Sequence, residues 1–239
     1  MSYELVSVIA PVYRQADHVA DVVRGFESAL AKLPVAHELI VVVNGPADGT
    51  LEECRRLEAD LPSLKTIQSG TGWGRAVQRG LAEASGDLIC FTNSARTAAD
   101  DLLLMILYAL AHNGVIIKAS RKTRDNWKRR LGSLIYNLEC RALFDLSYFD
   151  VNGTPKVFPR ECWRLLTLSR HDDLIDVEFN AVCRNAGYPM LEVPIIATRR
   201  HGGQSTTNYR SALKMYGGAI RLRRSLRKDP QWQPSQSER

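Results

Sequence analysis

GDLICFTNSART, residues 86–97, is a short apolar run that ends in small polar residues and leads into a helix opening on Asp100 and Asp101. Such a run is typical of a buried parallel strand, and open α/β sheets bind ligands in the crevice at the carboxyl ends of these strands. We therefore expect the chemistry near residues 93–97, although an ordinary strand-to-helix loop would look the same. The loop itself contains no carboxylate.

Chain length and cysteine usage limit the class of protein. With 239 residues the chain can form either one α/β domain with appendages or two domains. Its cysteines have no Cys-x-x-Cys spacing, which predicts reduced core residues and neither a disulfide framework nor a zinc site. They are Cys54, Cys90, Cys140, Cys162 and Cys183.

The apolar segments are short. The amino terminus has no basic, leader-like start, and the longest apolar run, residues 102–111, is about half of what a bilayer-spanning helix needs. We expect a cytoplasmic protein that does not span a membrane.

The excess of positive charge is confined to the second half of the chain. Residues 1–120 carry 10 Lys or Arg and 14 Asp or Glu, whereas residues 121–239 carry 22 and 12. This asymmetry indicates a polyanionic partner, namely phosphates, anionic lipid or nucleic acid, unless it is only a solvated basic face. No nucleic-acid-binding motif accompanies the charge, so nucleic acid is disfavoured.

Strand and helix patterns alternate along the chain, which predicts a mostly parallel sheet flanked by helices. Asp17 is the expected cap of the first helix. Strands are expected at residues 5–10, 38–43, 64–68, 88–92, 114–119, 156–158 and 191–197. Helices are expected at residues 19–33, 51–61, 76–84, 102–112, 126–146, 171–185 and 208–228.

Two segments have both a structural and a functional interpretation. The glycines of residues 70–74 precede a helix, where backbone N–H groups can bind phosphate, but their spacing fits neither the dinucleotide fingerprint nor the P-loop. Turn formation is the plainer interpretation of these glycines. The four acids within residues 172–178 are helix caps or part of a site.

Two helices combine basic and apolar residues. The helix predicted at 126–146 contains Trp127 and either lies on a membrane surface or packs on its own domain. Residues 199–228 carry nine Arg or Lys and no acid. The helix within that range places apolar residues among the charges, which predicts salt-sensitive docking on anionic membranes. Those apolar residues are Leu213, Tyr216, Ile220 and Leu226.

The order and spacing of several motifs resemble family 2 glycosyltransferases of the GT-A fold, most closely the polyprenyl-phosphate sugar transferases. The resemblance covers roughly residues 5–227. Its motifs are VIAPVY at 8–13, NGPADGT at 44–50, GWGRA at 72–76, the segment 80–87, KVFPR at 156–160, DVE at 176–178 and RHGGQS at 200–205.

The chain departs from this family where the family has its metal-binding Asp-x-Asp motif. Asn93-Ser94-Ala95 stands there, and an amide and a methyl group are poor ligands for a hard divalent cation. The resemblance therefore implies no cofactor beyond weakly bound Mg²⁺ or Mn²⁺, recruited by Asp48 or Asp87. Alternatively, an arginine neutralises the diphosphate directly. The candidates are Arg75, Arg96 and Arg200.

The resemblance also implies a set of site residues. A hydroxyl acceptor would need a general base, whereas a phosphate acceptor is already a nucleophile. The expected nucleotide-sugar contacts are Pro11, Tyr13, Asn44, Asp48, Arg75, Asn93 and Ala95. The expected acceptor or phosphate contacts are Lys156, Arg160, Arg200 and Ser205. The candidate bases are Asp150, Asp173 and Glu178.

The resulting hypothesis is a single GT-A domain over residues 1–228, followed by a disordered tail at 229–239. Residues 1–120 form its nucleotide-binding half and residues 121–228 its acceptor- and membrane-facing half. The expected partners are a nucleotide sugar, a lipid-linked or glycan acceptor, and the anionic inner face of the cell membrane. The alternative is an inactive relative that binds nucleotide, lipid phosphate or a partner enzyme.

Overall fold

The computed structural model describes residues 3–45, 47–121, 127–195 and 209–226, with the side chains of residues 127–131 and 209–215 excepted. Its strands are β1 Leu5–Val12, β2 Ala36–Asn44, β3 Leu64–Ser69, β4 Leu88–Phe91, β5 Ile116–Arg121, β6 Lys156–Pro159 and β7 Met190–Ile195. Its helices are α1 Val19–Leu30, α2 Thr50–Asp60, α3 Trp73–Glu83, α4 Ala99–Ala111, α5 Trp127–Phe144, α6 Ile175–Ala186 and α7 Tyr209–Leu226, with a 3₁₀ helix at Trp163–Thr167.

The described strands form one sheet in the order β3-β2-β1-β4-β6-β5-β7. All neighbours are parallel except β6, which runs antiparallel to both β4 and β5. The expectation of a mostly parallel sheet flanked by helices is confirmed. Because β6 is reversed, its first residue, Lys156, lies beside Phe91 at the end of β4.

Alternating side chains of β1 and β2 enter two cores on opposite faces of the sheet. Val6, Val8 and Ala10 pack with α1 and α4, whereas Ile9 packs with α3 and α6 on the other face. Burial on both faces explains why these strands consist mainly of β-branched residues. A third apolar cluster joins α5, α6 and α7.

Some local expectations were wrong. Asp17 does not cap α1, because His18 occupies the cap position and no side chain bonds to the helix end. The helix predicted at residues 171–185 is α6, and it begins at Ile175. It does not begin earlier because Asp172 accepts the Leu174 N–H at 3.2 Å and so closes a turn before the helix. The apolar run at residues 102–111 suggests a fully buried helix, but α4 buries only one face and leaves Leu104 exposed.

All five cysteines are free and buried, as expected. In the part of the chain that the structure describes, no helix has both the length and the apolar character needed to cross a bilayer.

Gly80 allows α3 to approach β1 closely, because a methyl group there would lie 2.2 Å from Ile9 Cγ2. We expect Gly80→Ala to lower the free energy of unfolding by about 1–3 kcal/mol through overpacking. Gly132→Ala is the control, since nothing lies within 4 Å of its added carbon in α5. It should be neutral or stabilising by up to about 1 kcal/mol. Equal urea midpoints for Gly80→Ala and the unmodified protein would contradict this packing.

Candidate functional site

The carboxyl ends of β1, β2 and β4 meet at one edge of the sheet, and hydrogen bonds join the loops that follow them. The Gln15 N–H donates to Thr50 Oγ1 at 3.1 Å, which joins the loops after β1 and β2. Gln15 Nε2 donates to Ser94 Oγ at 2.9 Å, and Ser94 Oγ donates to the Pro11 carbonyl at 2.7 Å. The crevice is therefore lined by loops that are fixed to one another. Pro11 contributes to it through its backbone.

Tyr13 and Asn44 lie together at the start of this crevice. The Tyr13 ring covers Gly45 so closely that a methyl group there would meet Tyr13 Cε2 at 2.5 Å. Gly45 also has a φ of +121°, a conformation that favours glycine. Asn44 is buried, and its amide has no hydrogen bond among the described residues. Arg14 lies over the outer side of the tyrosine ring, 5.4 Å from its centroid.

The loop that replaces the acidic motif satisfies its own polar groups. Asn93 Oδ1 accepts the Ala95 N–H at 3.1 Å. Ala95 is 4% exposed, and Ser94 is held by Pro11 and Gln15. Asp48 has a comparable local role, because its Oδ1 accepts the Thr50 N–H at the start of α2. These groups are committed to loop structure.

The start of α3 lies on the same edge, beneath the loop that leads to α6. The Arg75 N–H donates to the His171 carbonyl at 3.2 Å, and a methyl group at Gly74 would lie 2.2 Å from the Arg170 carbonyl. The Arg75 side chain is exposed and lies back over Gly70. Among the described residues, its guanidinium makes no ion pair or hydrogen bond.

A buried charged cluster supports this edge from below. Lys156 is fully buried and forms an ion pair with Asp176, whose other oxygen accepts Trp73 Nε1 at 3.1 Å. The Lys156 ammonium also lies 5.3 Å from the Phe91 ring centroid and 5.6 Å from that of Phe179. Burial lowers the pKa of Lys156, and the carboxylate of Asp176 opposes that shift. Lys156 was expected to contact a phosphate, but its ammonium group is enclosed by protein and cannot reach a ligand in the crevice. It supports the site instead, through its ion pair with Asp176.

A second charged cluster lies beside the first, at the end of β5. Asp150 receives two hydrogen bonds from the Arg121 guanidinium, at 2.7 and 2.8 Å. Lys118 is fully buried, is ion-paired with Glu192 and donates to the Asp150 carbonyl. Asp150 is therefore a charged partner within a network and not an open base.

The remaining candidate bases differ in their surroundings. Glu178 is buried and accepts the Ser169 N–H and hydroxyl and the Arg170 N–H, so it holds the loop before α6. Asp173 is exposed to solvent and has no partner among the described residues. Packing of protein around its carboxylate raises its pKa, as do the charges of Asp176 and Asp172. Of the three candidates, Asp173 alone is open to a substrate.

Two expected residues lie at the opposite edge of the sheet. Arg160 follows the end of β6 and donates to the Gly86 and Ala84 carbonyls at 2.6 Å each. Asp87 accepts the Glu4 and Leu5 N–H groups at the start of β1. Arg160 was expected to contact the acceptor, and Asp87 was expected to recruit a metal. Both side chains instead bind backbone groups at the edge of the sheet where β1 and β4 begin, away from the crevice. Arg200 and Ser205 lie outside the described residues.

Sequence reasoning missed Gln15, Lys118 and Arg121, which hold the loops and the buried cluster together. Their partners are distant in sequence, and a glutamine or basic residue near a strand end is usually exposed. The pattern around Trp73 predicted a glycine loop but gave no sign of the Asp176 partner.

The fold is shared with solved transferase structures. Glucosyl-3-phosphoglycerate synthase from Mycobacterium tuberculosis, in complex with Mn²⁺, UDP and phosphoglyceric acid, aligns with a TM-score of 0.69 at 17% identity. The alignment covers 91% of this chain and 76% of that one. This likeness defines the class of fold, which is the GT-A fold of nucleotide-sugar-dependent transferases.

The family model for Glycosyl transferase family 2 matches residues 7–166, which is more than half of the chain. The protein belongs to glycosyl transferase family 2.

Two curated relatives represent its similarities within the family. Glycosyltransferase AglJ of Haloferax volcanii is 24% identical over 213 residues, covering 85% of this chain and 66% of that protein. Undecaprenyl-phosphate 4-deoxy-4-formamido-L-arabinose transferase of Proteus mirabilis is 24% identical over 209 residues, covering 85% and 63%. The chain thus spans less than two thirds of the length of these relatives.

Removal of one partner from the buried pair should be costly. We expect Lys156→Met to lower the free energy of unfolding by about 3–5 kcal/mol, because Asp176 would be left buried without its cation. Lys65→Met is the control, since Lys65 pairs with Glu83 at the surface and should contribute at most about 1 kcal/mol. Urea denaturation would measure both. Equal losses for the two variants would show that burial of the Lys156 pair has no special cost.

Proposed function

We propose that this protein transfers a sugar from a nucleotide-sugar donor to a polyprenyl phosphate at a membrane surface. The observation that carries the proposal is the crevice over β1, β2 and β4, where an aromatic ring and an amide that has no hydrogen bond among the described residues lie side by side. Tyr13 offers a stacking surface for a base, and Asn44 offers both a donor and an acceptor to its edge. Family membership and the nucleotide-binding solved relatives support this proposal.

The acceptor class follows from the shortage of an available base. Asp150 and Glu178 are both engaged by other residues, and a hydroxyl acceptor would have to rely on Asp173 alone. A phosphate acceptor is already an anionic nucleophile and needs no deprotonation. Its oxygen would attack the anomeric carbon, while the bond from that carbon to the nucleotide diphosphate breaks and its electron pair leaves with the diphosphate. The undecaprenyl-phosphate transferases among the relatives support this acceptor class.

We further propose that α5 docks on the inner face of an anionic membrane. Leu134, Ile135 and Leu138 form a stripe on α5 and are 58%, 51% and 67% exposed. Phe149, 68% exposed, lies next to the stripe under Arg141. Apolar residues exposed to this extent fit the headgroup region of a bilayer.

The helix α7 packs against α5 and supplies positive charge to the same part of the molecule. Tyr216 OH donates to the Gly132 carbonyl of α5 at 2.8 Å, and Arg221 and Arg224 of α7 are exposed. Each such arginine contributes about 1 kcal/mol near an anionic surface. Leu226, expected to face the membrane, is instead buried in the cluster of α5, α6 and α7. Ile220 of α7 remains 41% exposed, so α5 would supply most of the apolar contact and α7 the charge together with Ile220.

An inactive relative that binds nucleotide is the second candidate. The observation that favours it is the closed Asn93 loop, which offers no carboxylate to a metal. Transfer of radiolabelled sugar from a panel of nucleotide sugars to undecaprenyl phosphate separates the two. Nucleotide binding without any transfer would favour the second candidate.

Nucleotide affinity should depend on Tyr13. We expect Tyr13→Ala to weaken nucleotide binding about tenfold, because base–aromatic stacking contributes about 1–3 kcal/mol. Tyr108→Ala is the control, since Tyr108 is exposed on α4 and stacks on His112. Calorimetric titration with UDP and GDP would measure the change. Equal affinity of the two variants for the nucleotide would show that the nucleotide base does not bind against Tyr13 in this crevice.

Membrane binding should depend on the α5 stripe. We expect Leu134→Ser with Leu138→Ser to reduce co-sedimentation with anionic vesicles, because the buried apolar area is lost. Leu104→Ser with Leu107→Ser on α4 is the control, since these exposed leucines lie on the other face of the sheet. Added salt should also weaken binding. Equal pelleting with neutral and anionic vesicles, or equal loss in the control, would end the proposal.

A further inference from the structure

The described residues do not provide a donor set for a divalent metal in the crevice. No group of three or more histidine, cysteine or acidic side chains in that part of the chain is arranged to hold a metal ion. The solved relative carries Mn²⁺ together with UDP, so the family implies a metal at this place. Mg²⁺ and Mn²⁺ prefer anionic oxygens, and the residues present here do not fit that preference.

Among the nearby carboxylates that the structure describes, Asp173 alone has no partner, and the unpaired amide of Asn44 carries no charge. Asn93 Oδ1 accepts the Ala95 N–H, and Asp48 accepts the Thr50 N–H. Asp176 is neutralised by Lys156. A single exposed carboxylate cannot replace a cluster of ligands. The charge of a diphosphate in this crevice must therefore be balanced in another way.

Arg75 is the cation best placed to balance that charge. It lies in the first turn of α3, and Trp73 of the same turn packs edge-on against Phe91, with ring centroids 6.5 Å apart. Phe91 is the last residue of β4, so the start of α3 adjoins the Asn93 loop. The backbone around Arg75 is fixed by its N–H bond to the His171 carbonyl. Its guanidinium remains exposed and has no partner among the described residues.

The other described arginines of this edge differ from Arg75. Arg14 lies over the Tyr13 ring, where the nucleotide base is proposed to stack, and Arg170 is paired with Asp172 at 2.9 Å. Arg96 also has an interaction of its own. A guanidinium presents several N–H donors in a plane, and this geometry matches phosphate oxygens.

We infer that Arg75 binds and neutralises the diphosphate of the nucleotide, and that nucleotide binding by this protein does not require a divalent metal. The inference rests on the proposed function. In the transfer step, the electron pair of the broken glycosidic bond would remain on the β-phosphate oxygen, where the guanidinium N–H groups stabilise it.

Calorimetric titration of UDP and GDP, each in excess EDTA and in excess MnCl₂, tests the inference. We expect each affinity to agree within about twofold between the two buffers. Arg75→Gln should weaken diphosphate binding about tenfold, the loss of one charge-assisted contact, and leave binding of the corresponding nucleoside unchanged. Arg79→Gln is the control, because Arg79 lies one turn further along α3 and pairs with Glu83.

A second variant tests the missing ligand directly. Asn93→Asp keeps the oxygen that accepts the Ala95 N–H and adds an anionic oxygen to those of the diphosphate and Asp173, so Mn²⁺ should then strengthen UDP binding. An equal effect of Mn²⁺ on UDP binding by the unmodified protein would overturn the inference. Ala95→Asp is less suitable, because residue 95 is buried. Circular dichroism and thermal unfolding would show that each variant is folded.

The outcomes separate this inference from the proposed function. Binding only in the presence of MnCl₂, or equal affinities of Arg75→Gln and Arg79→Gln, would overturn the inference and leave the proposed function standing. Absence of nucleotide binding in both buffers would overturn both.

Discussion

The candidate site depends on the buried ion pair between Lys156 and Asp176. It joins the first residue of β6 to the first turn of α6, and Trp73 connects the start of α3 to the same carboxylate. Three elements that are far apart in sequence thereby converge on one charged point beneath the crevice. A buried pair of this kind contributes little net stability compared with apolar packing, but it tolerates few alternative arrangements. Its value here is the fixed position of the helix starts.

Close backbone approach is the second constraint on this edge. Gly74 lets the start of α3 touch the carbonyls of the loop before α6, and Gly153 lets the turn before β6 touch the Ala119 carbonyl of β5. Any side chain at these positions would separate the two halves of the molecule. The first and second halves of the chain are thus held in register by backbone contact as well as by charge.

The sheet was predictable from the sequence, because strands buried on both faces require continuous β-branched runs such as residues 39–43. The reversal of β6 was not predictable, since the sequence of a four-residue strand does not reveal the direction in which it runs. That reversal decides that Lys156 lies beneath the crevice and that Arg160 lies at the opposite edge. The sequence also did not distinguish Asp173 from the neighbouring acids. Asp176 and Glu178 have partners outside α6, whereas Asp173 has none among the described residues. Tyr13 and Asn44 were predictable as neighbours because they follow adjacent parallel strands.

The buried cysteines make this protein a convenient host for site-directed labelling. Burial raises the pKa of Cys54 and Cys140 to about 12 and that of Cys162 to about 11, so almost no thiolate is present at neutral pH. Maleimides and spin labels react with thiolates and would leave the native thiols unmodified. A single cysteine introduced on the surface would then carry the only probe, without prior removal of any native residue.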